Sequence, residues 1–158
     1  FYYLDAALAQ ARSLVEAGAD ILDVGGQSTR PGAVEISLEE ELNRVLPVVQ
    51  AIRQALSVPV SVDTTRATVA RAAVAAGADI INDISGAIFD PDMLPTVAQL
   101  GVPIVLMHMR GTPQTMQQMT DYGDLIREIG EFLQQRVDAA IASGIDPSRI
   151  IIDPGIGF

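Results

Sequence analysis

Hydrophobic positions along the chain fall into two alternating kinds of run. One kind recurs at helical spacing, as in residues 4–17 (LDAALAQARSLVEA), where Gly18 then supplies a stop. The other is short and continuous: DILDVGG (20–26), VPVSVD (58–63), ADIIND (78–83), VPIVLMHM (102–109) and SRIIIDPGIG (148–157). Continuous apolar runs of this length suit strands buried on both faces of a parallel sheet. Between them, Ser37 and Glu40 form an S-x-x-E capping box that opens a helix to about Leu56. A helix is predicted from about Arg66 to Ala76, and a shorter one from after Pro91 to Gly101. The longest is predicted from about Asp121 to Ser143, before Gly144.

Five strands, each preceded by a helix, make a β/α repeat, because parallel strands need crossover connections. An open doubly wound sheet and a (β/α)8 barrel both satisfy that pattern. The first ordinarily carries a G-x-G-x-x-G turn, which this sequence lacks. The second places functional residues at the C-terminal ends of several strands, and here those ends carry Asp23, Asp63, Asn82 with Asp83, His108 and Asp153. Five units cannot close a barrel of eight. The expected fold is therefore an α/β segment of a (β/α)8 barrel, residues 1–158 forming one partial domain. It would lack the first strand and the last two or three βα units.

Composition narrows the chemistry. The 158 residues, 49% of them hydrophobic, suffice for one sizeable core, and no run approaches the roughly 18 apolar residues of a membrane span. There is no cysteine, which removes disulfides, thiol nucleophiles and cysteine-type zinc sites and is compatible with a cytoplasmic setting. The net charge of −10 argues against a nucleic-acid surface. All ten basic residues are arginine, so Schiff-base chemistry is excluded within this stretch. The chain opens at Phe1 without a methionine and closes at Phe158 beside a glycine-rich strand end, and both ends read as cut.

Each polar tip has a bland and a functional reading. Asp63 could cap the following helix or meet a ligand. Asn82 and Asp83, being adjacent in a strand, should point to opposite faces, one into a barrel and one toward the helices. Asp153 opens DPGIGF, where Gly155 and Gly157 would let backbone approach a ligand. His108, the single histidine, reads better as a structural strand-end residue than as a metal ligand. Met107 reads as core or as the floor of a pocket for a flat ligand. In GGQSTRPG (25–32), bare backbone, two hydroxyls and the fork of Arg30 together suit a phosphate or a carboxylate.

GADILDVGGQSTRPGA, SVDTTRA, GADIINDISG, LMHMRGTPQTMQ and IIIDPGIGF, in this order, resemble the dihydropteroate synthase family along essentially the whole chain. The resemblance implies a transferase of folate biosynthesis that joins p-aminobenzoate to 6-hydroxymethyl-7,8-dihydropterin pyrophosphate, with Mg²⁺ assisting. Products would be 7,8-dihydropteroate and pyrophosphate. It implies that Asp63, Asn82 and Asp153 hold the pterin ring, and that Met107, Ile84 and Gly157 contact its faces or edge. Asp23, taken to stand at a strand tip, would be a further pterin-pocket or loop-anchoring residue. Ser28, Thr29, Arg30 and Pro31 would form a mobile loop around the diphosphate and p-aminobenzoate, with Thr29 and Arg30 closest to the chemistry. The family ordinarily has lysine where Arg66 stands, which reads as an exposed helix-start position of little consequence. Its magnesium-binding asparagine is expected before Phe1, and its lysine and arginine–histidine pair after Phe158, so no metal ligand is expected within the segment. The isolated segment is expected to be inactive, and a homodimer is the implied assembly. A corrinoid methyltransferase of the pterin-binding type could share the Asp and Asn tips but would not be expected to carry STRPG. A non-catalytic pterin-binding barrel would keep the tips without the chemistry.

Overall fold

A computed structural model describes residues 4–30 and 32–158. Helix α1 (Leu4–Glu16) leads into strand β1 (Leu22–Gly25), and α2 (Leu38–Ala55) into β2 (Val60–Asp63). Then come α3 (Ala67–Ala75), β3 (Ile80–Asp83), α4 (Met93–Leu100), β4 (Ile104–Met107), α5 (Leu125–Ala142) and β5 (Ile150–Asp153). Short 3₁₀ turns occupy Met116–Gln118 and Pro147–Arg149. All four strand pairings are parallel, and the sheet order β1-β2-β3-β4-β5 follows the chain.

The predicted elements are all present, with their ends moved by capping. Ser37 Oγ accepts from the Glu40 amide at 3.1 Å and starts α2, as the capping box predicts. Its reciprocal half is replaced, because the Glu40 carboxylate pairs with Arg44 one turn on. The longest helix begins later than its sequence suggests: Asp124 caps it by accepting from the Arg127 amide at 3.1 Å. Gly101 ends α4 in the left-handed region at φ 66°, a conformation that glycine adopts without strain.

The strand register divides the side chains between two faces. Leu22, Val24, Val60, Val62, Ile81, Ile104 and Leu106 face the helices and form the main core with Val45, Val49 and Ile52 of α2 and Val97 of α4. Each such aliphatic side chain, once fully buried, contributes about 1.5–3 kcal/mol. The other face carries Asp23, Ser61, Asp63, Asn82, Val105, Met107 and Asp153. Toward its helices the sheet is apolar apart from Asp83, and its other face sets carboxylates and an amide among apolar side chains.

Candidate functional site

The site is assembled where β1, β2 and β3 place polar side chains on that second face. Asp63 ends β2, and its register partners are Gly25 of β1 and Asn82 of β3. Because Gly25 has no side chain, nothing from β1 covers Asp63 at that level. Asp23 sits two residues before the end of β1, deeper than its expected position at the strand tip. There it accepts a hydrogen bond from Asn82 Nδ2 at 3.3 Å, across β2. The Asp63 carboxyl makes no hydrogen bond among the described residues, so the capping reading fails. The first amide of α3, that of Ala67, instead donates to Asp90 at 2.7 Å. Burial, reinforced by the charges of Asp23, Asp83 and Glu41, pushes the Asp63 carboxyl up to about 7.

Asn82 and Asp83 divide as adjacent strand residues should. Asn82 faces the ligand side, while Asp83 is fully buried toward the helices and accepts from the Ser85 amide at 2.8 Å and its hydroxyl at 2.6 Å. Asp83 therefore does the turn-forming work, and its other carboxylate oxygen has no partner. Burial raises its pKa despite the Ser85 hydrogen bonds.

Across the sheet, Asp153 pairs in register with Met107. One Asp153 oxygen accepts from the Gly155 amide at 2.7 Å, closing the DPGIGF turn. Gly155 is held at φ 72°, and a Cβ there would press into the His108 carbonyl oxygen. Met107 and Ile84 are buried in a small cluster with Met109 and Met116. Gly157 is exposed at φ 95°, with open space where a Cβ would be. His108 lies edge-on to Phe132 at 5.0 Å and near Tyr122 at 6.2 Å. Burial and the neighbouring Arg110 push its pKa down, as suits a neutral structural histidine.

Over these residues lies the loop between β1 and α2. Gln27 braces it internally, accepting from the Ile36 amide at 2.8 Å and donating to the Val34 carbonyl at 3.0 Å. Gly32 donates to the Pro113 carbonyl at 3.3 Å, so the loop touches the connection that follows β4. Between them is a cavity of about 490 Å³, lined by Ser28 and Thr29, Asp63, Ile84, Phe89 and Pro113 among others. It takes in Asp63 but not Asn82 or Asp153, which stand on the open face beside it. Arg30 is exposed and does not line the cavity, while Pro31 lies outside the described residues.

Beneath the loop is a group that the sequence reading misjudged. Arg66 is not an exposed helix-start residue, since its side chain is only 22% exposed. It donates to Glu41 at 2.8 Å, to Glu35 at 2.7 Å and to the Ile36 carbonyl at 2.7 Å. Glu41, only 2% exposed, also accepts from the Thr64 hydroxyl at 2.6 Å. One signal was available: Glu41 shares a helical stripe with Val45, Val49 and Ile52, which places an acid on the buried face of α2.

No group of three or more His, Cys, Asp or Glu side chains among the described residues is arranged to hold a metal ion. Among the described residues, no helix is long and apolar enough to cross a membrane.

Comparison with known proteins gives a consistent outcome. The family model for pterin binding enzymes matches residues 1–158. A dihydropteroate synthase of Synechocystis is 58% identical over 158 residues, covering all of this chain and 55% of that protein. The structure of Xanthomonas albilineans dihydropteroate synthase with 4-aminobenzoic acid matches at TM-score 0.91 and 48% identity, covering 98% of this chain and 54% of the other. Burkholderia cenocepacia dihydropteroate synthase complexed with 7,8-dihydropteroate matches at TM-score 0.88 and 45% identity, covering 98% and 55%. The chain thus spans about half the length of the relatives it matches. Its five parallel strands are part of a TIM barrel, as the strand tips suggested.

Proposed function

The chain belongs to the family of pterin binding enzymes, and from that premise we propose that it supplies the pterin-binding half of a dihydropteroate synthase. The complete protein would be a cytoplasmic transferase that joins p-aminobenzoate to the pyrophosphate ester of 6-hydroxymethyl-7,8-dihydropterin. The C–O bond to pyrophosphate breaks, and the aromatic amine forms a C–N bond to the same methylene. The amine then loses a proton. The observation that carries this reading is the polar group of Asp23, Asp63 and Asn82 on one face of the sheet, beside the STRPG loop.

Asp63 and Asp153 offer carboxylates to ring and amino N–H groups, and Asn82 offers both a donor and an acceptor. Asp23 orients Asn82 through its amide. Met107 and Ile84 present a flat, polarisable surface to the ring, and Gly157 leaves room at its edge. As pyrophosphate departs, positive charge develops on the methylene and is shared with the electron-rich ring. Carboxylates already bonded to that ring stabilise the charge without reorganising. Ser28, Thr29, Arg30 and Pro31 serve the anionic end, with the Arg30 fork supplying donors to the leaving group. A loop resting over the site also keeps water from capturing the cation.

The test is pyrophosphate release by the full-length protein given the dihydropterin pyrophosphate, with and without p-aminobenzoate, beside Arg30→Ala. Release that requires p-aminobenzoate and falls by about 10²-fold or more in the variant is expected for a donor aimed at developing charge. A folded protein that binds pterin yet releases no pyrophosphate would overturn the synthase reading.

A further inference from the structure

The ion cluster of Arg66, Glu35 and Glu41 lines the same cavity as Asp63, and neither the pterin contacts nor departure of the leaving group gives it a role. Arg66 stands three residues after Asp63, between β2 and α3. Its backbone amide donates to Thr64 Oγ1 at 3.2 Å, which fixes its own turn. Its guanidinium then spreads in three directions, to a buried acid on α2, to an exposed acid of the β1–α2 loop and to a backbone carbonyl of that loop. Glu41 holds the arginine from the core side while Thr64 fills the other carboxylate oxygen, so the acid is paired and its geometry determined. Glu35 is the exposed acid of the pair, at 79% exposure.

Resting on the synthase reading above, we propose that Arg66 is a positioning residue. It pins the downstream limb of the STRPG loop, at Glu35 and Ile36, to the end of the strand that carries Asp63. Ser28, Thr29 and Arg30 lie upstream of this anchor and outside its direct hold. A planar fork suits this task because it fixes direction toward several acceptors at once. A lysine could reach one or two of them but could not hold all three in one plane.

The test uses the full-length protein and four variants. Arg66→Met removes the fork, and Arg66→Lys keeps the charge. Glu35→Gln weakens only the exposed arm. Arg66→Met combined with Glu41→Gln removes the fork without leaving an ionised buried carboxylate unpaired, so the question stays open to test even if Arg66→Met alone fails to fold. Two readouts are needed: hydrogen exchange of the 33–37 amides without substrates, and KM for p-aminobenzoate beside Kd for the dihydropterin pyrophosphate. We expect the double variant to exchange faster over 33–37 and to raise KM for p-aminobenzoate about tenfold, with pterin affinity, read above about pH 8 where Asp63 is ionised with or without the Glu41 charge, held within about twofold. Arg66→Lys should fall between it and the wild type, and Glu35→Gln should shift KM by no more than about threefold. Wild-type exchange and KM in the double variant would overturn the proposal, as would pterin affinity falling in step with KM, which marks a merely structural role. If the wild-type protein makes no dihydropteroate, the synthase reading fails, while the exchange rates still decide whether Arg66 anchors the loop.

Discussion

A carboxyl pushed up to about 7 is largely protonated at mildly acidic pH, yet a ring N–H donor needs it ionised. Asp63 is in that position because burial and the Asp23 charge both oppose its ionisation. Pterin binding should therefore expel a proton below neutrality. Calorimetry of the full-length protein at pH 6, in two buffers of different ionisation enthalpy, should find release approaching about one proton. Affinity should rise with pH up to about 7 and then level off, and Asp63→Asn should remove both effects. The sign for stability is the reverse. A pKa raised by folding means that the folded state holds its proton while the unfolded chain has lost it. Stability is thus fullest below about 4, falls as pH rises from the carboxyl's ordinary value of 3.8 toward 7, and is flat above. The loss is at most about 4 kcal/mol, reduced by partial solvation. Denaturant titrations at pH 4.5 and 7.5 should show a smaller difference in Asp63→Asn than in the wild type. Gly155 is constrained in a plainer way. Gly155→Ala must fit a Cβ against the His108 carbonyl while holding φ at 72°, and should cost about 2 kcal/mol or more by chemical denaturation.

At the scale of elements, the helix starts differ in how legible they were. Ser37 and its target amide are three residues apart, so α2 could be read directly, and Ser37→Ala should lower stability by about 1 kcal/mol. The cap of α3 could not be read, because Asp90 reaches the Ala67 amide from 23 residues away. Asp90→Ala should cost a similar amount, about 1 kcal/mol, with the same denaturant midpoint assay as its measure. The sequence predicts the start of α5 at about Asp121, whereas Asp124 caps it. Glu128 accepts from the Gly123 and Asp124 amides, fixing the turn just ahead of α5, while Arg110 pairs with it and stacks on Tyr122. The strands were the most legible elements, since continuous apolar runs ending in Asp, Asn or His have few other uses. Arg66 was the least legible of the site's neighbours. Its partners Glu35, Ile36 and Glu41 come from a different unit of the fold, and nothing local to TTRA reveals them.

For the molecule as a whole, the sheet has two open edges among the described residues, β1 and β5. On β5, Ile151 and Ile152 point to opposite faces and are 46% and 55% exposed. Unpaired strands with large aliphatic side chains invite association, so the isolated chain should self-associate in light scattering. Replacing Ile152 with lysine should reduce that tendency. Between the edges, strand order repeats chain order, and α2 and α5 each pack beside the strand before and the strand after them. That regularity bears on synthesis. As the polypeptide leaves the ribosome, each βα unit can dock on the one already formed, because no later strand must be inserted between two earlier ones. Asp63 and Asn82 would come together once β3 has emerged, well before translation reaches Asp153.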